Sequence, residues 1–563
     1  MRPKLFLRLL FALSAICTLG MNLPSVAAET PRIFALTHAT AVPEPGQTVE
    51  DATIVMRNGL IESIRSGGKV PADAVEIDCT DRFVYAGFID ANSSLGRPAA
   101  RRGGAAGGAN GNPFAAATTE SPKGAVHPLA LVRPENELRD ELSPFEGDLA
   151  DSMESFRNLG FTVVHTSPER GIFRGSGATR LLIKDLSVAE TLLGERTIHH
   201  TGFDRARFGQ GYPTSLMGSI ATVRQVLLDA QRYRDWTARY RANPAGMERP
   251  PRHAAFEALL PLLNGESPVM MHTSHPLDAL KAHELASEFG VDAMIAVSAH
   301  EAEYAERIGA TGRQLILSVA FPEKPKVDDE DEALGVSIDT MRRYLEAASS
   351  PSTLHEAGIR FAISSDGLEN KSSFHKQMKK IVDGGLPFDV ALAAITTEPA
   401  KLLGIERSTG SIAAGKIANL VITDAPLFGE ETQIRDVFVD GHRFELEIKD
   451  KPKVDPDAVV DPSGSWLVSM QFGPRKIERE WVLRKADDGY VGTAEMRDET
   501  VDIESISMNG NEMTVVYPSR GGQPGLEIVV VIDGEEFVGT TSMMGRSTDV
   551  EGKRTSKPEG GAR

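Results

Sequence analysis

The sequence predicts an α/β chain: a (β/α)₈ TIM-like barrel, a composite β-sandwich built from both flanks of that barrel, and a separate all-β C-terminal domain. Three observations lead there. From residue 149 to residue 366, amphipathic helical stretches alternate with short apolar runs; this order builds a parallel sheet, and the number of repeats favours a closed barrel over an open sheet. The strand-rich segments on either side are each too small to bury a core alone. Beyond Pro456 the helical signal stops and short alternating runs take over.

Size and charge set the limits. The 563 residues, 41% hydrophobic and 25% charged, suffice for several domains with sizeable cores. The net charge of −18 argues against a nucleic-acid partner. A small-molecule substrate is the expected partner, and the oligomeric state stays open. Residues 1–28 read as a signal peptide: Arg2, Lys4 and Arg8 flank an apolar segment, and Ser25, Val26, Ala27 and Ala28 form a cleavage-like end. The expectation is an exported protein, periplasmic or secreted, with no stable membrane anchor after cleavage. Ile16 before Cys17 fits poorly with lipid attachment. Cys79 is then the one remaining cysteine, which excludes an intramolecular disulfide and reads as a buried thiol.

The first flank, 32–86, carries alternating runs around Asn58 and Gly59, a pair that tolerates the positive φ of a hairpin turn. The second, 405–447, supplies runs at 418–423 and 434–443. The barrel occupies 87–404. Its Gly/Ala-rich insert at 97–124 lacks the bulk for a core and the ending of a phosphate loop. Strand-like runs fall at 161–165, 269–272, 293–297, 314–319 and 359–366, and helical ones at 151–159, 219–240, 253–263, 277–289, 302–308 and 341–348. Gly171, Gly175 and Gly177 read as a loop. One strand expected between His199 and His253 gives no visible signal. Residues 457–555, with turn signals at Asn509 and Gly510 and at Asp533 and Gly534, form a small barrel or sandwich with no catalytic cluster.

The chemistry is expected at strand ends. Asn92 and Ser94 stand two apart, so on a strand they point the same way, at the end where barrels build their sites. His272 ends a strand, His300 follows one and Asp366 ends another. Converging on one mouth, two imidazoles and a carboxylate could bind a metal such as Zn²⁺, which would make hydroxide from water. Each residue alone reads as an ordinary hydrogen-bonding group; the set carries the expectation. Residues 171–177 and 209–215 are mouth loops or plain turns, and the acidic run 328–332 is a solvated loop.

The order of pieces resembles the amidohydrolase superfamily, within it the imidazolonepropionase-like enzymes that hydrolyse carbon–nitrogen bonds. The matching motifs are the first hairpin, Gly87–Phe88–Ile89–Asp90, the Ser364–Ser365–Asp366 strand end, Thr396–Thr397–Glu398–Pro399–Ala400 and the return from Thr409 to Val421. The resemblance covers about residues 33–444 and leaves the C-terminal domain aside. It implies metal ligands at His272, His300 and Asp366, with Asp366 and His300 catalytic. The family's His-x-His positions are Asn92 and Ser94, a degenerate motif; the fourth-strand bridging ligand has no counterpart, and Asn419 stands where aspartate is common. Asn and Ser are weak Zn²⁺ ligands, and His275 or the pair His199 and His200 could compensate. The implied cofactor is one divalent ion (Zn, or Fe/Mn), or none if the site is inactive. Two functions are compatible with these residues: an exported hydrolase of non-peptide C–N bonds, amide or lactam in type, or a non-catalytic barrel that binds a small molecule or supports a partner.

Overall fold

The computed structural model describes residues 33–98 and 126–556, except 195–196, 207–210, 299, 323, 326, 328–332, 369, 431, 447–453, 473–474, 487–488, 497–498, 519–525 and 544–545. The signal-peptide reading, most of the Gly/Ala-rich insert and the acidic run lie outside the described residues.

Five strands open the chain: β1 (Phe34–Val42), β2 (Val49–Arg57), β3 (Leu60–Ser66), β4 (Val75–Asp78) and β5 (Phe83–Ala86). Asn58 and Gly59 both take positive φ between β2 and β3, the conformation a tight hairpin requires. The barrel wall comes next: β6 (Phe88–Ser93), β7 (Phe161–Thr166), β8 (Phe173–Ser176), β9 (Ala178–Leu181), β10 (Leu192–Leu193), β11 (His199–Gly202), β12 (Val269–His272), β13 (Ala293–Val297), β14 (Leu315–Ser318) and β15 (Phe361–Ser364). β6 and β7 are parallel, as are β11 through β15 in succession, and β15 packs back against β6.

The third position of the wall departs from a strict (β/α)₈ pattern. β8 and β9 are two halves of one bent strand, β9 antiparallel to β7 and β8 antiparallel to β11. The connection explains the reversal: residues 167–172 are all that separate β7 from β8, whereas a parallel crossover takes about a dozen residues or more. The glycine-rich segment expected as a loop is therefore wall. The strand sought between His199 and His253 is β11 itself, and it leads into a 27-residue helix, Leu216–Ala242, whose N-cap Ser215 accepts from Gly218 N at 3.1 Å.

Apolar residues on alternate positions divide the barrel core. Val269, Met271, Ile295, Leu315, Leu317, Phe361 and Ile363 belong to the larger core that includes the surrounding helices. Ile89, Val163, Met270, Met294, Ile316 and Ala362 form another, shared with Leu402 and Leu403 of helix Thr397–Leu403. Being buried on both sides explains why these strands read as continuous apolar runs.

The chain then returns through β16 (Leu420–Thr423), β17 (Ile434–Val439) and β18 (His442–Glu445). β16 pairs antiparallel with β5, so both flanks share one hydrogen-bonded sheet, in the order β18-β17-β16-β5-β1-β2-β3 with β4 on β1. The sandwich expected from sequence is thus a single sheet around one core, to which Leu36, Ile54, Val84, Leu420, Phe438 and the free, buried Cys79 contribute.

Nine antiparallel strands complete the chain: β19 (Gly464–Phe472), β20 (Arg475–Ala486), β21 (Gly489–Met496), β22 (Glu499–Asp502), β23 (Ser505–Asn509), β24 (Glu512–Val516), β25 (Glu527–Asp533), β26 (Glu536–Met543) and β27 (Arg546–Ser556). β19 pairs with both β20 and β27, and β20 also with β21, which closes the sheet into a barrel. Trp466, Trp481 and Phe537 fill it, with Phe537 5.0 Å from one indole and 5.4 Å from the other. No helix among the described residues is long and apolar enough to cross a membrane.

Candidate functional site at the barrel mouth

Two residues beyond the interior residues Val163, Ile198 and Met270 come His165, His200 and His272. The two-residue period of a strand places each imidazole above its apolar neighbour on the same face. The three rings stack, with centroids 5.2 Å apart in both pairs. Thr179 Oγ1 lies 2.9 Å from His165 Nδ1, His165 Nε2 3.0 Å from His200 Nε2, and His200 Nδ1 2.9 Å from His272 Nε2. Gly177 makes this possible, because a Cβ there would stand 2.5 Å from His165 Nε2 and 2.6 Å from His200 Nε2.

Burial keeps the stack neutral. It pushes the His165 imidazole down to about 3 and holds His200 well below its ordinary range, with the neighbouring His272 adding to the effect. His272 is likewise lowered by burial, then by the guanidinium groups of Arg174 and Arg97. Arg174 is aimed by Asp204, whose carboxylate accepts from Arg174 Nη2 at 3.0 Å, Gly171 N at 2.9 Å and Arg170 Nε at 2.9 Å.

A second network joins the first and last strands. Asn92 Nδ2 donates to Asp366 Oδ2 at 3.2 Å, Ser167 Oγ donates to Asn92 Oδ1 at 2.5 Å, and Arg97 Nε donates to the Ser167 carbonyl at 2.8 Å. Behind it, Asp90 is fully buried and accepts from Ser365 Oγ at 2.6 Å, and from Ser365 N and Asn92 N at 3.2 Å each. Burial raises the Asp90 carboxyl to about 6, against the lowering effect of Ser365 and Lys371. Lys371 Nζ donates to the Ser365 carbonyl at 2.5 Å.

The structure thus brings Asp366 and Asn92 together, and His272 with His200, but three expectations change. Ser94 lies beyond the end of β6 and is exposed; the β6–β7 register shifts between Asp90 and Ser93, so simple alternation from Asn92 does not hold. His300 does not join His272 and Asp366. The alternation Met294, Ala296 brings Ser298 next, and the Glu301 carboxylate accepts from Ser298 N at 3.2 Å, turning the chain off the strand. His300 instead lines an outer cleft with Arg343 and Ser350. His275 is an exposed helix cap whose Nδ1 accepts from Leu277 N at 3.2 Å, and is no replacement ligand.

Sequence reasoning nominated neither His165 nor Arg174. The signal for His165 was there: it stands two residues after an interior valine, as His200 stands two after Ile198 and His272 two after Met270.

The donor set does not fit the divalent metal that the resemblance implies. Asn92 supplies an amide in place of imidazole or carboxylate, and its two ends are committed to Asp366 and Ser167. His272 Nε2 faces His200, two guanidinium groups adjoin the site, and no group of three or more His, Cys, Asp or Glu side chains among the described residues is arranged to hold a metal.

The barrel with its shared flanking sheet is similar in fold to a solved amidohydrolase, and part of the sequence matches that family's pattern. Residues 272–444 match the sequence pattern described as "Amidohydrolase family"; the matched part begins at His272, holds Asp366 and leaves out β6 with Asn92. The chain is 25% identical over 480 residues to the amidohydrolase tasK of Hapsidospora irregularis, covering 75% of this chain and 44% of that protein. It therefore spans less than half the length of this curated relative. An amidohydrolase from Thermotoga maritima MSB8 superposes with a TM-score of 0.57 at 20% identity, over 73% of this chain and 100% of that one. A zinc-bound adenosine deaminase from Xanthomonas campestris gives 0.33 at 14% identity, over 73% and 92%.

Proposed function

We propose that the chain is an exported hydrolase of the amidohydrolase type that cleaves a non-peptide C–N bond, amide or lactam, in a small molecule, with Asp366 moving the proton. The observation that carries this reading is the Asp366 carboxylate, two residues past the end of β15, partly exposed and oriented by Asn92. In this reading Asp366 takes a proton from water as the oxygen attacks the carbonyl carbon, and returns it to the nitrogen as the C–N bond breaks. Arg97 and Arg174 lie close enough to Asp366 for their charges to act on it, and would stabilise the developing oxyanion. No step requires a resident metal ion. The polar N-terminal end and apolar segment of residues 1–28 support export.

Turnover of an amide and lactam panel by the purified mature protein, abolished in Asp366→Asn, is the expected result; no turnover across the panel would overturn the reading. Metal analysis provides the other arm. Stoichiometric zinc, iron or manganese that is lost in His272→Ala would overturn the metal-independent mechanism.

A further inference from the structure

Two ionisable groups behind the mouth take no part in the proton transfer described above: Asp90, fully buried, and Lys371, half-buried. Both bond to Ser365, the residue before Asp366. Ser365 Oγ and N donate to the Asp90 carboxylate at 2.6 and 3.2 Å, and the Ser365 carbonyl accepts from Lys371 Nζ at 2.5 Å. That same carbonyl accepts from Leu368 N at 3.1 Å and so closes a tight turn, in which Gly367 takes a φ of 75°. Asp366 stands at the corner of this turn, and its own carbonyl accepts from Ser318 Oγ at 2.5 Å. Asp90 also accepts from Asn92 N at 3.2 Å. One carboxylate is thus tied both to the start of the turn that carries Asp366 and to the residue whose amide orients it. The charges of Asp90 and Asp366 act on Lys371, and its charge acts on Asp90.

We infer that Lys371 is a positioning residue for Asp366, the proton carrier of the proposed hydrolase, on which this role rests. Asp366 lies two residues past β15, beyond the ladder that joins β14 to β15, so the strands do not fix its direction. The turn fixes it, and the turn is anchored at its first residue from both sides: Asp90 takes the Ser365 N–H and hydroxyl, and Lys371 takes the carbonyl. A neutral apolar side chain at 371 would free that carbonyl from one of its two donors and leave the buried Asp90 without its neighbouring cation. The turn would then shift relative to Asn92 on the first strand. A misplacement of about 1 Å at a reacting group can cost about 100-fold in rate.

The side-chain amide of Asn92 reports the position of Asp366 without any turnover. In the full mature chain labelled with ¹⁵N-asparagine, its signal is identified by its loss in Asn92→Ser. In Lys371→Met its protons are expected to move upfield as the bond to Asp366 lengthens, and in Lys371→Arg, which keeps the charge and a donor, to stay at the wild-type position. If Lys371→Met does not fold, Lys371→Gln gives the same comparison. Turnover is the second arm: kcat for a cleaved amide or lactam is expected to fall about tenfold or more in Lys371→Met with KM within about twofold, and Lys371→Arg to restore it. An Asn92 signal unmoved in Lys371→Met, or a lower melting temperature with kcat unchanged, would overturn the inference and leave Lys371 a stabilising cation for Asp90. Failure of the wild type to cleave any member of the panel would overturn the hydrolase reading alone, and the Asn92 signal would then decide whether Lys371 holds Asp366.

Discussion

Asn92 on the first barrel strand donates through Nδ2 to Asp366 at the end of the last, across 3.2 Å, while its carbonyl oxygen accepts from Ser167. An amide can do both at once because it carries a donor and an acceptor. A carboxylate in its place would face Asp366 with like charge.

Asn92→Asp should therefore set two carboxylates against each other, and two carboxylates at that distance cannot both ionise freely. Relative to wild type at each pH, the variant is expected to lose stability as pH rises and to regain it at low pH. Denaturation midpoints from pH 4 to pH 8 would show it. A difference from wild type that stays constant across that range would mean that the two side chains are farther apart in solution.

Asp90 gives a stability slope of known sign. Its folded carboxyl is raised from 3.8 to about 6 by burial, so the folded chain holds this proton more tightly than the unfolded one. The unfavourable contribution is absent below the unfolded value, grows between about 4 and 6, and reaches about 3 kcal/mol above that. Asp90→Asn should flatten this part of the pH dependence relative to wild type in urea titrations. An unchanged slope would assign the titration elsewhere.

The histidine stack has the opposite sign. His165, folded near 3 against an unfolded 6.5, contributes stability that is full above 6.5 and lost as pH falls toward the folded value. His200→Leu would strip partners from both His165 and His272, a loss of about 2–5 kcal/mol at pH 7.5, and would make the acid limb shallower. Thermal melts at pH 7.5 and 5 separate the two effects.

Gly177→Ala places a methyl within 2.6 Å of two imidazole nitrogens. Overpacking of this kind costs about 1–3 kcal/mol, and the rings must move apart. Calorimetric melting would register the loss, and histidine ¹⁵N spectra would show the broken N–H···N contacts. A wild-type melting temperature would indicate that the stack is loosely held.

In the C-terminal barrel, Trp481 Nε1 donates to Tyr517 Oη at 2.7 Å, both side chains being buried. Trp481→Phe should lower the stability of this barrel by about 1–3 kcal/mol through the lost donor and the smaller ring. Hydrogen exchange would show faster opening in β19–β27 with protection in β11–β15 unchanged. Loss of protection in both would indicate that the two units unfold together.

Much of the fold was legible in the sequence because β12 through β15 are uninterrupted apolar runs bounded by helices, and Asn58 with Gly59 announces its hairpin. The reversed third strand was hidden because Gly171, Gly175 and Gly177 carry turn chemistry whether they end a strand or bend one. Of the residues at the barrel mouth, Asp366, Asn92 and His272 stand at or just past strand ends, a position that the apolar runs make visible. His300 misled because its distance from β13 depends on where the strand stops, and that is fixed by the Glu301 side chain folding back on Ser298. Arg174 was invisible because its importance comes from Asp204, 30 residues away, and from a strand direction that periodicity does not encode.

That reversed strand also bears on the order in which the barrel assembles. Val163 pairs with Leu181 only 18 positions on, whereas Phe88 must find Phe161 73 positions away. Closing the short loop costs less chain entropy and is faster. The β7–β9 ribbon is thus placed to form early and to present a preformed edge to which β6 docks late, so that the Asn92 side of the mouth is completed only when the barrel shuts.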